Sequence, residues 1–197
     1  MNADGSRLLL ELPAPEVVLN SDRPGDALRK LFEDLARGDL DALAGIYDCS
    51  APEIYALALW RTSRSSDAED VVQEVLVRLA ERRAGLRAVR SPRTYLLAMA
   101  HSAAVDRMRS RRRLEPVEDR LLQDADAPDP DRRLDARRAS RLLLTLPARQ
   151  REAIYLHHFA ELTFREIGRV TGVPTFTAAS RYRLGMRRLR KIMGGER

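Results

Sequence analysis

The sequence predicts an all-α protein of two small helical domains, a helical bundle and a helix-turn-helix, joined by an acidic, proline-containing linker. Apolar residues recur at helical spacing in each patterned stretch, and no strand-like alternation of useful length occurs. Composition changes sharply between Leu114 and Asp129, ending in Asp-Ala-Asp-Ala-Pro-Asp-Pro-Asp, a run that cannot bury a core and repels itself into extension. With 197 residues and 44% hydrophobic positions, the chain can build a small core on each side of that run.

Residues 1–24 hold Pro13, Pro15 and Pro24 among scattered acids without a period, and read as a mobile leader. The first domain is expected over residues 25–113. It opens with a helix from Asp26, carrying Leu28, Leu31, Phe32 and Leu35 at helical spacing and stopped by Gly38. A second helix follows from Asp39 and a third from about Glu53 to Arg61. Ser66 and Glu69 form a capping-box pattern that should start a helix running to about Arg83. After a loop from Ala84, Ser91 can cap and Pro92 can open a long helix to about Arg113. Residues 114–130 are the linker and 131–197 the second domain. There the helical pattern resumes near Asp131, and Pro147 starts another helix after Leu142 to Leu146. Thr163 and Glu166 form a second capping box, Gly172 a stop, and Thr175 the cap of a last helix to about Met193.

The net charge of +6 rests mainly on arginine, which suits bidentate phosphate and guanine contacts, so a polyanionic partner is the default expectation. Cys49 stands alone, which excludes an intrachain disulfide and fits a reducing cytoplasm. Apolar runs are too short for a membrane span. The sequence lacks a phosphate-cradling glycine loop, a nucleophile elbow and a histidine pair at metal spacing, so no catalytic residue, metal or cofactor is expected. His157 and His158 are adjacent and should diverge, one packed and one exposed.

Projected at about 100° per residue, the helix over Asp67 to Glu81 gathers Val71, Val72, Val75, Leu76 and Leu79 on one side. Asp67, Asp70, Gln73, Glu74 and Glu81 gather on the other, with Val77 among them. That face is either an ordinary solvated stripe or a docking face for a basic helical partner. The helix from Pro92 has its core stripe at Leu96, Met99, Ala100 and Ala103, with Ser102, Val105, Arg109 and Arg112 on the far side. Its arginine-rich end either complements the helix dipole or, with Arg82, Arg83, Arg87 and Arg90 nearby, contacts nucleic acid.

The stretches 163–171 and 175–193 have the layout of a helix-turn-helix. On the last helix Ala178, Tyr182, Gly185, Leu189 and Ile192 share one face, and the small residues should let it pack closely on the preceding helix. The opposite face carries Phe176, Ser180, Arg183 and Arg187, with Thr177 and Arg181 alongside, and suits a major groove. An amphipathic basic helix could instead lie on a membrane or a protein.

DLDALAGIYDCSAPEIYALAL, DAEDVVQEVLVRLAE, SPRTYLLAMAHSAAVDRMRSRRR and LTLPARQREAIYLHHFAELTFREIGRVTGVP, in this order across a variable linker, resemble the ECF sigma factors of the sigma-70 family. The resemblance covers about residues 39–113 and 139–193. It implies a non-enzymatic cytoplasmic factor that directs core RNA polymerase to promoters, with sigma region 2 first and region 4 second. It implies that Asp70, Gln73, Glu74 and Val77 dock on the β′ clamp helices, and that region 4 also meets the β flap. Arg87, Arg90, Tyr95, Ser102, Arg109 and Arg112 are then expected at the −10 element. Phe176, Thr177, Ser180, Arg181, Arg183 and Arg187 are expected at the −35 element. The family's usual Trp and Asn are replaced by Tyr95 and Ser102, and its usual Gly and Lys by Phe176 and Ala179. An anti-sigma protein is a further partner the resemblance allows. Two other readings remain from the residues themselves: a regulator using the helix-turn-helix alone, and an interaction module whose arginine faces bind an acidic protein.

Overall fold

The computed structural model describes residues 24–114 and 142–194, which belong to two separate compact units. Among these residues every regular element is helical. The leader up to residue 23, the acidic linker and the pattern near Asp131 lie outside the described residues.

The first unit begins with α1, Pro24–Ala36, which buries Leu28, Phe32 and Leu35. It stops where Gly38 takes φ +100°, a conformation that favours glycine. Next comes α2, Ala42–Thr62, a single helix where the sequence predicts two. Pro52 lies inside it, lacking the N–H that would bond the Asp48 carbonyl, a substitution that ordinarily breaks a helix at a cost of about 3 kcal/mol. Burial explains its continuity: Ile46, Ala51, Ile54 and Leu57 on both sides of the proline are in the core, and α2 packs on every other helix of the unit. A Cβ at Gly45 would come within 2.8 Å of Leu31 Cδ2, so this glycine lets α1 and α2 approach closely.

α3, Ser65–Glu81, starts earlier than the capping box at Ser66 predicts. Arg64 is extended and serves as the N-cap without a side-chain bond, which leaves Ser66 exposed in the first turn. Asp67 in that turn complements the helix dipole instead. A short 3-10 turn, Arg83–Ala88, buries Leu86 against α1. α4, Pro92–Leu114, opens on proline as expected, with the Tyr95 N–H donating to the Ser91 carbonyl at 3.0 Å. Leu96, Leu97, Met99, Ala100 and Ala103 are buried. Arg93 clamps α4 to α2 through a bidentate pair with Glu53, at 3.0 and 2.5 Å.

In the second unit Leu143 and Leu146 are buried, and Pro147 introduces α5, Ala148–His158. α6, Phe164–Thr171, carries the predicted capping box: Thr163 Oγ1 accepts from the Glu166 N–H, and Glu166 Oε2 accepts from the Thr163 N–H at 2.9 Å. Gly172 ends it in the left-handed region, φ +66°. α7, Thr175–Gly194, starts one position earlier than predicted, with Thr175 inside the helix. The Pro174 carbonyl accepts from the N–H groups of Thr177 and Ala178, at 2.9 and 3.1 Å. The glycine packing also differs from expectation, since a Cβ at Gly185 would meet Ile154 Cδ1 at 2.8 Å and Gln150 Cβ at 3.3 Å. It therefore packs α7 on α5 rather than on α6.

Candidate functional site

The α6–turn–α7 unit is held at a fixed angle by its turn. A Cβ at Gly168 would lie 2.7 Å from the Val173 carbonyl oxygen, so any side chain there would push the turn open. The Val173 N–H in turn donates to the Gly168 carbonyl at 2.9 Å. Ala178, Met186 and Leu189 anchor α7 in the core. That rotation leaves Phe176, Arg183 and Arg187 exposed and Thr177, Ser180 and Arg181 partly exposed. Along one line of the helix the residues at 176, 180, 183 and 187 present an apolar tip, a hydroxyl and two guanidinium groups.

On the first unit, α3 and α4 run antiparallel and are joined by a ladder of ion pairs. Arg111 lies 3.8 Å from Asp67, Arg107 pairs with Asp70, and Arg107 Nε lies 3.8 Å from Glu74. Arg78 pairs with Glu74 and reaches Asp106 at 3.8 Å. The acidic stripe read from the sequence is thus partly engaged within the fold, and so are two of the arginines at the end of α4. Beyond its first turn, the exposed residues of α3 form a row at a spacing of four, Glu69, Gln73, Val77 and Glu81, with Val77 57% exposed. Asp70 and Glu74 flank this row, half covered by their arginines.

Tyr95, Ser102 and Arg109 fall on one line of α4, at a spacing of seven that extends about 21 Å at 1.5 Å per residue. Ser102 and Arg109 are exposed; Tyr95 is partly buried, edge-on to Phe32 with ring centroids 6.3 Å apart. Arg87 and Arg90 are exposed in the segment leading into α4, where the Arg90 carbonyl accepts from Arg29 at 2.8 Å. Arg112 belongs to the last turn of the same helix.

Comparison with known proteins follows the same division. Residues 46–114 match the Sigma-70 region 2 family and residues 142–191 match Sigma-70, region 4. The ECF RNA polymerase sigma factor SigK of Mycobacterium ulcerans is 30% identical over 176 residues, covering 85% of this chain and 94% of the relative. The chain is an ECF RNA polymerase sigma factor. Its function is accordingly promoter-specific initiation of transcription, with core RNA polymerase and promoter DNA as partners. Two solved structures share the fold: the sigma factor RpoE in complex with the anti-sigma factor NepR from Bartonella quintana, and CnrH in complex with the cytosolic domain of CnrY. The first has a TM-score of 0.59 at 23% identity, covering 75% of this chain and 93% of that one. The second has a TM-score of 0.62 at 20% identity, covering 87% and 99%. No helix among the described residues is long and apolar enough to cross a membrane.

In this sigma factor, region 4 contains a cluster that the sequence does not announce. His157 stacks on Phe164 with centroids 4.5 Å apart, Tyr182 meets both histidines, and His158 Nε2 is hydrogen-bonded to the Tyr182 hydroxyl at 2.8 Å. Neither histidine is the fully exposed one expected; both are partly buried, and together they tie α5 to α6 and to α7. His157 Nδ1–H donates to the Leu162 carbonyl at 3.0 Å. Burial, and then the neighbouring His157, push the His158 pKa below its ordinary value, while burial raises that of Tyr182 against the opposing effect of Arg190. A histidine whose folded pKa is depressed contributes stability that is complete above about pH 6.5 and is lost as pH falls toward the folded value. The thermal midpoint of the wild-type protein should therefore drop between pH 7.5 and 5.5 more steeply than that of His158→Gln, as measured by circular dichroism. Parallel slopes would show that His158 does not carry the effect.

Arg165 and Arg169, exposed one turn apart on α6, stand outside the residues expected at DNA. The signal was available in their spacing of four. It was hidden because Arg165 sits inside the capping box and reads as part of the helix start.

Proposed function

We propose that region 2, residues 25–113, docks on core polymerase through the exposed row of α3 and opens the −10 element along α4. Region 4, residues 131–197, reads the −35 element with α7, and residues 114–130 link the two. The observation that carries this reading is the contrast of exposed chemistry. α3 offers Val77 and Gln73 rimmed by carboxylates, which suits a basic helical partner and repels DNA, whereas α7 offers guanidinium groups and hydroxyls suited to a major groove. Asp70 and Glu74 rim that docking face while held by Arg107 and Arg78. Arg87, Arg90, Tyr95, Ser102, Arg109 and Arg112 form the −10 surface. Arg165 and Arg169 on α6 join Arg181, Arg183 and Arg187 in phosphate contact, because the first helix of a helix-turn-helix crosses the backbone.

The chain performs no chemistry of its own and acts in the cytoplasm. Binding energy at two DNA elements is converted into strand separation, and polymerase does the catalysis. The RpoE that shares this fold is bound by the anti-sigma factor NepR, and an anti-sigma protein is a partner for this chain by that likeness.

Permanganate footprinting tests the reading. Thymines near −10 should become reactive only when this chain and core polymerase are both present. Thymines that stay unreactive with both present, on DNA that the chain alone protects from DNase I, would favour a regulator that uses the helix-turn-helix without polymerase.

A further inference from the structure

Phe176 is 73% exposed, more than any other large hydrophobic side chain among the described residues. It is the second residue of α7, on the line shared with Ser180, Arg183 and Arg187 and opposite the buried face of Ala178, Gly185 and Leu189. The N-terminal residues of a recognition helix are the ones that reach base edges. From Thr175 to Ser180 the side chains of this helix carry only hydroxyl or apolar groups. Before Arg181, its seventh residue, the helix therefore offers no guanidinium for guanine and no amide for adenine. The apolar feature of base edges in the major groove is the thymine C5-methyl group.

Resting on the −35 reading above, we propose that Phe176 is a specificity-determining residue that packs against a thymine methyl in the −35 element. Arg183 and Arg187 lie about 10 and 16 Å further along the helix axis at 1.5 Å per residue. At those distances they reach the phosphates flanking the groove and hold the apolar tip at its floor, so charge positions the helix while Phe176 selects the base. Promoters used by this factor should then share a thymine, on one strand or the other, at the base pair facing Phe176.

The test uses holoenzyme formed from the full chain and core polymerase, on promoters it has itself selected from a randomised library. Each −35 thymine is replaced in turn by deoxyuridine, which keeps every hydrogen-bonding group and lacks only the methyl. One replacement should weaken wild-type binding about fourfold, equivalent to about 0.8 kcal/mol for one buried methyl-sized group. Phe176→Leu should retain part of this discrimination and Phe176→Ala should lose it. Uracil tolerated at every −35 thymine, or an equal loss in Phe176→Ala, would overturn the assignment of Phe176 while leaving the −35 reading in place. A holoenzyme that selects no −35 motif at all would overturn both.

Discussion

Replacing Gln73 and Val77 together by lysine is expected to weaken binding to core polymerase by roughly 30-fold or more, the effect of removing one interface hot spot of about 2 kcal/mol. The two side chains are exposed on α3, so stability should stay within about 0.5 kcal/mol of wild type. The choice of these positions follows from the ion-pair ladder. Charge reversal at Asp70 or Glu74 would also set a lysine against Arg107 or Arg78, and weaker binding would then be confounded with loosening of α3 against α4. Size-exclusion binding to core polymerase, read beside the thermal midpoint, separates the two. Unchanged affinity of the double variant would remove α3 as the docking helix.

Removing both guanidinium groups in Arg183→Ala with Arg187→Ala should act on DNA alone. Each phosphate that is no longer neutralised makes the slope of log K against log salt shallower by about 0.9, so the double variant should differ from wild type by about 1.8. At fixed salt the affinity should fall by about tenfold per arginine, from roughly 1.5 kcal/mol for a charge-assisted hydrogen bond. The fall should be the same for strong and weak −35 sequences, because phosphate contacts position the helix without reading bases. Affinity for core polymerase should not change. An effect confined to particular −35 sequences would instead assign these arginines to base edges.

How far the sequence discloses the molecule depends on the range of the interactions concerned. The Thr163 and Glu166 box is complete within four residues, and it forms as read. The box at Ser66 has the same pattern but is overridden, because Arg64 turns extended directly after Ser63 ends α2 in the left-handed region at φ 64°. Pro52 reads locally as a boundary, yet core packing on both of its sides holds α2 as one helix. The buried and exposed sides of α3 and α7 follow from periodicity alone. Which carboxylate meets which guanidinium does not, since Asp70 and Arg107 are brought together only when α3 and α4 pack. The histidine cluster escapes a sequence reading for the same reason: its partners Phe164 and Tyr182 arrive from two other helices.

This chain confers promoter choice on a polymerase. Run-off transcription by bacterial core polymerase, with and without the chain, on a library of double-stranded promoters with sequenced products, measures it directly. Start sites should appear only with the chain and share a −10 and a −35 motif. Active core polymerase that is neither bound nor redirected by the chain would contradict it.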